Sequence, residues 1–105
     1  MKIYAYTLPQ VPEREGWIKI GQSKEQTVEK RIKAQLSQAN LHYEVLLDEP
    51  SIAGKRNVTD REIHRYLEEQ GFEREGNSEW FRCTPEDVKI VLDFLKQKYI
   101  NEDKR

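Results

Sequence analysis

The 105-residue chain is long enough for a single domain with one modest hydrophobic core. Its 18 basic and 19 acidic residues give a net charge of -1, which excludes an indiscriminate polyanion binder of the histone type but allows a local basic patch. Cys83 is the one cysteine, so the sequence has no intrachain disulfide and no cysteine metal cluster, and we expect a reducing, cytoplasmic setting. No apolar run reaches the roughly 20 residues that span a bilayer, so no membrane partner is expected.

The chain opens with a predicted β-hairpin. Lys2–Leu8 is rich in β-forming residues, and the two-residue period of a strand puts Tyr4 and Tyr6 on one face. After a loop with two prolines, Trp17–Gly21 is expected to return antiparallel, with Lys19 on the face of the tyrosines.

A helix is predicted from Lys24 to Ala39, and Gly21 is interpreted as the turn that aims this helix. The apolar residues of the helix step by four along one stripe: Val28, Ile32 and Leu36. Arg31 lies beside the stripe, near the core boundary, where a cation is costly unless it meets an anion. A structural salt bridge and a phosphate would satisfy it equally well.

The second half of the chain predicts one strand, two helices and a short extended segment. His42–Leu47 alternates like a strand, and Asp48–Val58 is expected to form a loop. Thr59–Gln70 and the segment from Thr84 to about Ile100 show helical periodicity, each behind a capping threonine. Trp80 and its neighbour form the short β-like segment between these helices.

The resulting order, β-β-α-β-α-(β)-α, predicts the α+β class, with a small central antiparallel sheet of about three strands flanked by helices. We expect a single domain over residues 1–100, with residues 101–105 as a polar tail or the start of a linker.

Polar residues of the second predicted helix lie on two different flanks. Asp60 and His64 are i,i+4 neighbours on one flank, and such a pair is also typical of a simple surface ion pair. Glu62 lies about 160° away from His64 around the helix, so the two side chains cannot easily serve one site. Glu79 precedes two large apolar anchors, Trp80 and Phe81, which should hold it firmly in place.

Taken in order, these motifs resemble the GIY-YIG nuclease superfamily, and most closely the branch whose second motif reads Lys-Ile-Gly, which includes T5orf172-like and Mug113-like domains. The residues that carry the resemblance are Ile3-Tyr4, Lys19-Ile20-Gly21, Arg31, Asp60 to His64, and Glu79-Trp80-Phe81. The first motif departs from the family pattern, since Lys2 stands where glycine is usual.

The resemblance implies a metal-dependent cut of a DNA phosphodiester and a role for each matching residue. Tyr4 would polarise or deprotonate the attacking water, with Tyr6 as the fallback if the register slips by two. Lys19 takes the place of the second tyrosine, Arg31 would grip the scissile phosphate, and His64 matches the helix histidine. The cations suit this chemistry because a phosphoryl transition state spreads negative charge over its oxygens.

The resemblance also implies a divalent ion, Mg²⁺ or Mn²⁺, held by carboxylates. Asp60 is shorter than the glutamate usual four residues before the histidine, and if it cannot reach the ion, Glu79 is the preferred ligand. Glu62 is the third choice, because its flank faces away from His64.

Three functions are compatible with the sequence. The first is an endonuclease domain acting on DNA, as part of a restriction, repair or mobile-element protein, either within a longer chain or as a homo-oligomer. The second is a non-catalytic nucleic-acid-binding module on the same scaffold. The third, a protein-interaction domain, would explain the tryptophans and the charged surface without any site.

Overall fold

A computed structural model describes residues 1–24, 27–36 and 41–104. The predicted α+β class is confirmed, and the sheet is larger than the three strands expected. The strands are β1 (Lys2–Thr7), β2 (Ile18–Ser23), β3 (Glu44–Pro50), β4 (Ile52–Ala53), β5 (Arg56–Asn57), β6 (Glu73–Arg74) and β7 (Trp80–Arg82); the helices are α1 (Val28–Leu36), α2 (Asp60–Glu69) and α3 (Pro85–Asp103), with a single 3-10 turn at Pro12–Arg14.

Five strands form one antiparallel sheet in the order β3-β1-β2-β7-β6. The predicted hairpin of β1 and β2 lies at its centre, with Tyr6 opposite Lys19 and Tyr4 opposite Gly21. On the far side of β2, Lys19 is opposite Trp80, so Glu79 enters the sheet next to the lysine. The pairing register therefore brings residues that are far apart in sequence to one region.

Helices cover both faces of the sheet, which is why β1 is buried on both sides. One face of β1, with Ile3 and Ala5, packs against α2 and α3. The other face carries Tyr4 and Tyr6, which pack against Val28 and other apolar residues of α1. The predicted division of β1 into two faces is thus confirmed, and the two tyrosines lie under α1.

Local sequence signals locate α2 and α3 well. Thr59 and Thr84 each cap a helix, and each forms a capping box with the acid three residues later. The predicted apolar stripe of α3 is buried: Val88, Val91, Leu92, Leu95 and Tyr99. Helix α3 continues to Asp103, whose carboxylate accepts a hydrogen bond from the Lys55 backbone N–H. No helix among the described residues is long and apolar enough to cross a membrane.

Other predicted boundaries change. The third strand is Glu44–Pro50 instead of His42–Leu47, and the predicted loop over Asp48–Val58 contains the two-residue strands β4 and β5. Helix α1 begins at Val28, not Lys24. Residues 25–26 and 37–39, which belong to the predicted helix, lie outside the described residues, so its predicted end at Ala39 is not described.

The prediction that Gly21 is a turn is wrong, because Gly21 lies inside β2 and pairs with Tyr4. A Cβ atom at this position would lie 2.5 Å from the Tyr4 ring carbon Cζ and closer still to the hydroxyl oxygen. Glycine is therefore required here so that the tyrosine can lie flat across the neighbouring strand.

We expect Gly21→Ala to destabilise the fold by about 1–3 kcal/mol, the usual cost of overpacking a buried site. The free energy of unfolding is measured by chemical denaturation. In a Tyr4→Leu background the same substitution should cost clearly less, because the shorter side chain ends before the Cζ position. Equal costs in both backgrounds would contradict the steric explanation.

Candidate active site

The polar residues singled out in the sequence come together where β1, β2, α1, α2 and the segment before β7 meet. Tyr4 and Tyr6 lie side by side on β1 with their rings stacked, 6.1 Å between centroids. Both are almost completely buried, each with 1% of its surface exposed. The Lys19 ammonium group lies 5.8 Å from the centre of the Tyr6 ring.

Gln35, near the end of α1, joins these three side chains in one hydrogen-bond network. Its Nε2 donates to the Tyr4 hydroxyl oxygen at 3.0 Å. Its Oε1 accepts from the Tyr6 hydroxyl at 3.0 Å and from Lys19 Nζ at 3.3 Å. Gln35 belongs to none of the motifs in the sequence, although it lies one helical turn after Arg31 on the same edge of the helix.

Two carboxylates lie on the other side of Lys19. Glu79 Oε1 is 3.8 Å from Lys19 Nζ, with both side chains partly buried. Burial raises the pKa of Glu79, and the neighbouring Asp60 carboxylate raises it further by hydrogen bonding and repulsion, while the charges of Lys19 and Arg31 lower it. Asp60, Glu79, Lys19 and Arg31 thus form one electrostatic unit.

His64 is buried one helical turn after Asp60, with 5% of its surface exposed. Its Nε2 lies 2.8 Å from the Ile20 carbonyl oxygen. A carbonyl can only accept, so Nε2 carries the proton and the lone pair of the neutral ring is at Nδ1. Burial lowers the pKa of His64, which favours this neutral form, and the ring stacks on Phe81.

Arg31 is more exposed than predicted, since its side chain extends from the core boundary into solvent. Burial raises the pKa of Tyr4, and the nearby Arg31 guanidinium lowers it, as does the hydrogen bond from Gln35. Among the described residues, no carboxylate lies within ion-pair distance of Arg31. The structural salt bridge considered for Arg31 is therefore not formed within this part of the chain.

An open cleft of about 440 Å³ borders this region. It is lined by Met1, Gln22, Ser23, Lys24, Arg31 and Asp60. Two cations and one carboxylate thus face the same space. Gln22 holds the start of α2 at the cleft, because its Oε1 accepts a hydrogen bond from the Asp60 backbone N–H at 3.3 Å.

Asp60, His64 and Glu79 form a candidate metal site, with one donor atom from each lying within 4.8 Å of the others. Two carboxylates are the donors that Mg²⁺ and Mn²⁺ prefer, so the residues present fit a hard divalent cation. Because Nε2 of His64 is held by Ile20, the ring could bind a metal only through Nδ1.

Glu62, the third-choice metal ligand, lies elsewhere. Its carboxylate accepts from the Thr59 backbone N–H in the capping box and pairs with Arg56 at 3.6 Å. These contacts give Glu62 a structural role at the start of α2. They also agree with its predicted position on the flank opposite His64.

A protein-family model, the T5orf172 domain, matches residues 2–96. The chain belongs to the T5orf172 domain family. This family is GIY-YIG-like and nuclease-associated, so the chain is a nuclease-related module whose family implies nucleic-acid binding. No curated protein and no solved structure gave a significant match.

We expect Asp60→Asn to lower the pKa of Glu79, because the substitution removes the neighbouring negative charge that opposes ionisation. The side-chain carboxyl carbon of Glu79 can be followed by NMR during a pH titration. Glu62→Gln is the matched control on the same helix and should leave the Glu79 titration unchanged. A Glu79 pKa that is the same in Asp60→Asn as in the wild type would contradict the coupling of the two acids, whereas burial alone should keep it above the ordinary value in both.

Proposed function

We propose that this T5orf172 domain is a divalent-metal-dependent endonuclease domain that hydrolyses DNA phosphodiester bonds, in the Lys-Ile-Gly variant of the GIY-YIG site. The observation that carries the proposal is the single electrostatic unit of Asp60, Glu79, Lys19 and Arg31 beside an open cleft. We place it in a restriction, repair or mobile-element protein.

Arg31 is the phosphate-binding residue of this proposal. Its guanidinium is exposed, borders the cleft and has no carboxylate partner among the described residues, so an incoming phosphate does not have to displace an existing ion pair. A guanidinium can donate two parallel hydrogen bonds to a phosphate. Lys19 is held against Glu79 and Gln35, and stabilises the charge that develops on the phosphoryl oxygens.

Tyr4 is the group that orients or deprotonates the attacking water. Its hydroxyl oxygen accepts from Gln35, and the Arg31 charge favours its ionised form. Because Tyr4 is 1% exposed, we place the attacking water in the cleft beside Arg31, whose guanidinium is close enough to Tyr4 to lower its pKa. Tyr6 is less suited, since its hydroxyl proton is already donated to Gln35.

Asp60 and Glu79 are the proposed metal ligands, with Mg²⁺ or Mn²⁺ as the ion. When bound between these carboxylates, such an ion would supply a Lewis acid for a water and for the charge of the leaving group. His64 holds α2 against β2 through its hydrogen bond to the Ile20 carbonyl oxygen. Its neutral ring adds no charge that would repel a cation.

A second candidate function is a nucleic-acid-binding module without catalysis. Two observations favour it: Tyr4 is almost fully buried, and His64 Nε2 is occupied by a backbone carbonyl. In this alternative Arg31 still binds a phosphate, but the carboxylate pair is not used for hydrolysis. The two candidates predict different behaviour of Glu79 variants.

The proposed nuclease should nick supercoiled plasmid in the presence of Mg²⁺ or Mn²⁺. Arg31→Ala and Glu79→Gln should each lower the rate on the order of a hundredfold or more, since each removes a group that acts on the charged transition state or on the metal. The initial rate of nicking at saturating DNA is the measurement.

Lys33→Ala on the exposed face of α1 and Glu62→Gln on α2 are the matched controls and should cleave like the wild type. If no form cleaves, while DNA binding weakens in Arg31→Ala and survives in Glu79→Gln, the binding module replaces the nuclease. If no form binds DNA even at low salt, both nucleic-acid functions are excluded, because phosphate contacts are strongest there.

Metal binding should raise the thermal unfolding midpoint, and the shift should shrink as the pH is lowered toward the raised pKa of Glu79, because the proton and the metal compete for the same carboxylate. Asp60→Asn and Glu79→Gln should each abolish the Mg²⁺-dependent shift, whereas Glu62→Gln should keep it. A shift that persists in both ligand variants would place the metal elsewhere.

A further inference from the structure

The amide of Gln35 has one allowed orientation, and Lys19 determines it. An ammonium group only donates hydrogen bonds, so the Gln35 atom that faces Lys19 Nζ at 3.3 Å must be the oxygen. A hydroxyl can donate or accept, so neither tyrosine alone would fix which end of the amide faces which ring. The opposite end of the amide, the NH₂ group, is thereby directed at Tyr4.

This orientation gives two neighbouring tyrosines opposite hydrogen-bond roles. The Tyr4 oxygen accepts from Gln35 Nε2, so the Tyr4 proton does not go to Gln35. The Tyr6 hydroxyl donates to Gln35 Oε1, so its proton is already used. The two phenols are otherwise similar, since they lie on the same face of β1, stack on each other and are equally buried.

We infer that Gln35, held in one orientation by Lys19, is a positioning residue that selects Tyr4 over Tyr6 as the tyrosine whose hydroxyl proton is left for a water or a phosphate oxygen. Where it concerns cleavage, this inference rests on the proposed function. The hydrogen-bond roles themselves do not depend on it.

Lys19 acquires a second role from this geometry. Besides its charge next to Glu79, it acts through Gln35 as a donor that cannot reverse. A tyrosine in the same position could either donate or accept, and would leave the amide free to turn over. Lysine in the second motif therefore fixes the direction of the hydrogen bonds around Gln35, which a tyrosine would leave open, and adds a positive charge.

Other charged groups act on both tyrosines and have to be separated from the effect of Gln35. Arg31 and Glu79 act on Tyr4 with opposite signs. The charges of ionised Tyr4 and of Glu79 raise the pKa of Tyr6, and the charge of Arg14 lowers it. Burial raises the pKa of both phenols. A test of Gln35 therefore needs an outcome whose sign differs between the two rings.

Gln35→Met supplies that outcome, because it keeps the side-chain length and removes both hydrogen-bonding groups. Tyr4 should lose a donor to its ionised form, so its pKa should rise by about one unit. Tyr6 should lose an acceptor for its neutral form, so its pKa should fall. The two titrations are followed by ¹⁹F NMR with 3,5-difluorotyrosine placed at position 4 or at position 6 in the full chain.

Gln35→Glu is the second, isosteric variant, in case the apolar substitution disturbs folding. A carboxylate accepts from both hydroxyls and adds negative charge, so both pKa values should rise. Lys19→Met should shift the Tyr4 titration less in the Gln35→Met background than in the wild type, because part of its effect passes through the amide. Lys33→Met, exposed on the same helix, should shift neither ring.

Shifts of the two rings in the same direction in Gln35→Met, or an unchanged Tyr4, would overturn the inference, since a purely structural role moves both rings alike. The titrations need no DNA and no cleavage, so they are independent of the plasmid assay. If the pKa values of Tyr4 and Tyr6 shift in opposite directions in Gln35→Met, but the protein never nicks DNA, the hydrogen-bond roles are supported and only the proposed catalysis is excluded.

Discussion

The close packing of the Tyr4 ring across Gly21 is the contact on which the rest of the site depends. It fixes the register of β1 against β2, and that register places Tyr6 opposite Lys19 and brings Glu79 in beside it through β7. A one-residue slip would turn every side chain of β1 to the other face of the sheet. Because β1 is buried on both faces, such a slip would exchange Tyr4 and Tyr6 with Ile3 and Ala5 between two packed layers whose spaces differ in size, so the steric fit of one ring helps to secure the site.

The site is assembled at an electrostatic cost that the fold has to support. Burial and the neighbouring Asp60 carboxylate raise the pKa of Glu79, and the charges of Lys19 and Arg31 offset only part of this increase. A purely structural cluster would lower its free energy by replacing one acid with an amide. Two neighbouring acids next to an open cleft are typical of a cation-binding site. At such a site the repulsion between the acids lowers the stability of the fold in the absence of the cation.

The sequence predicts the parts of this protein whose causes are local. Helices α2 and α3 begin where a threonine is followed three residues later by an acid, and their buried stripes follow the 3.6-residue period. The two faces of β1 follow from strand alternation in the same way. The site residues named from motifs, except Glu62, also lie close together, because the strand register places β1, β2 and the segment before β7 side by side. Strands β4, β5 and β6 were missed since two-residue strands are defined by their partners and carry no periodicity.

Gly21 and Gln35 show why the remaining part could not be predicted. A glycine at the end of a predicted strand is compatible with a turn and also with close packing of an aromatic ring against the backbone. Which of the two forms depends on the residue of the partner strand that lies opposite the glycine, here Tyr4. Gln35 shows no signal in its own segment, because its role is set by residues on two strands of the hairpin. Its orientation follows from one chemical fact, that an ammonium group cannot accept a hydrogen bond. A single lysine in β2 thus determines, through an amide on α1, the direction of the hydrogen bonds made by two tyrosines on β1. This direction depends on all four side chains together and cannot be read from any one of them.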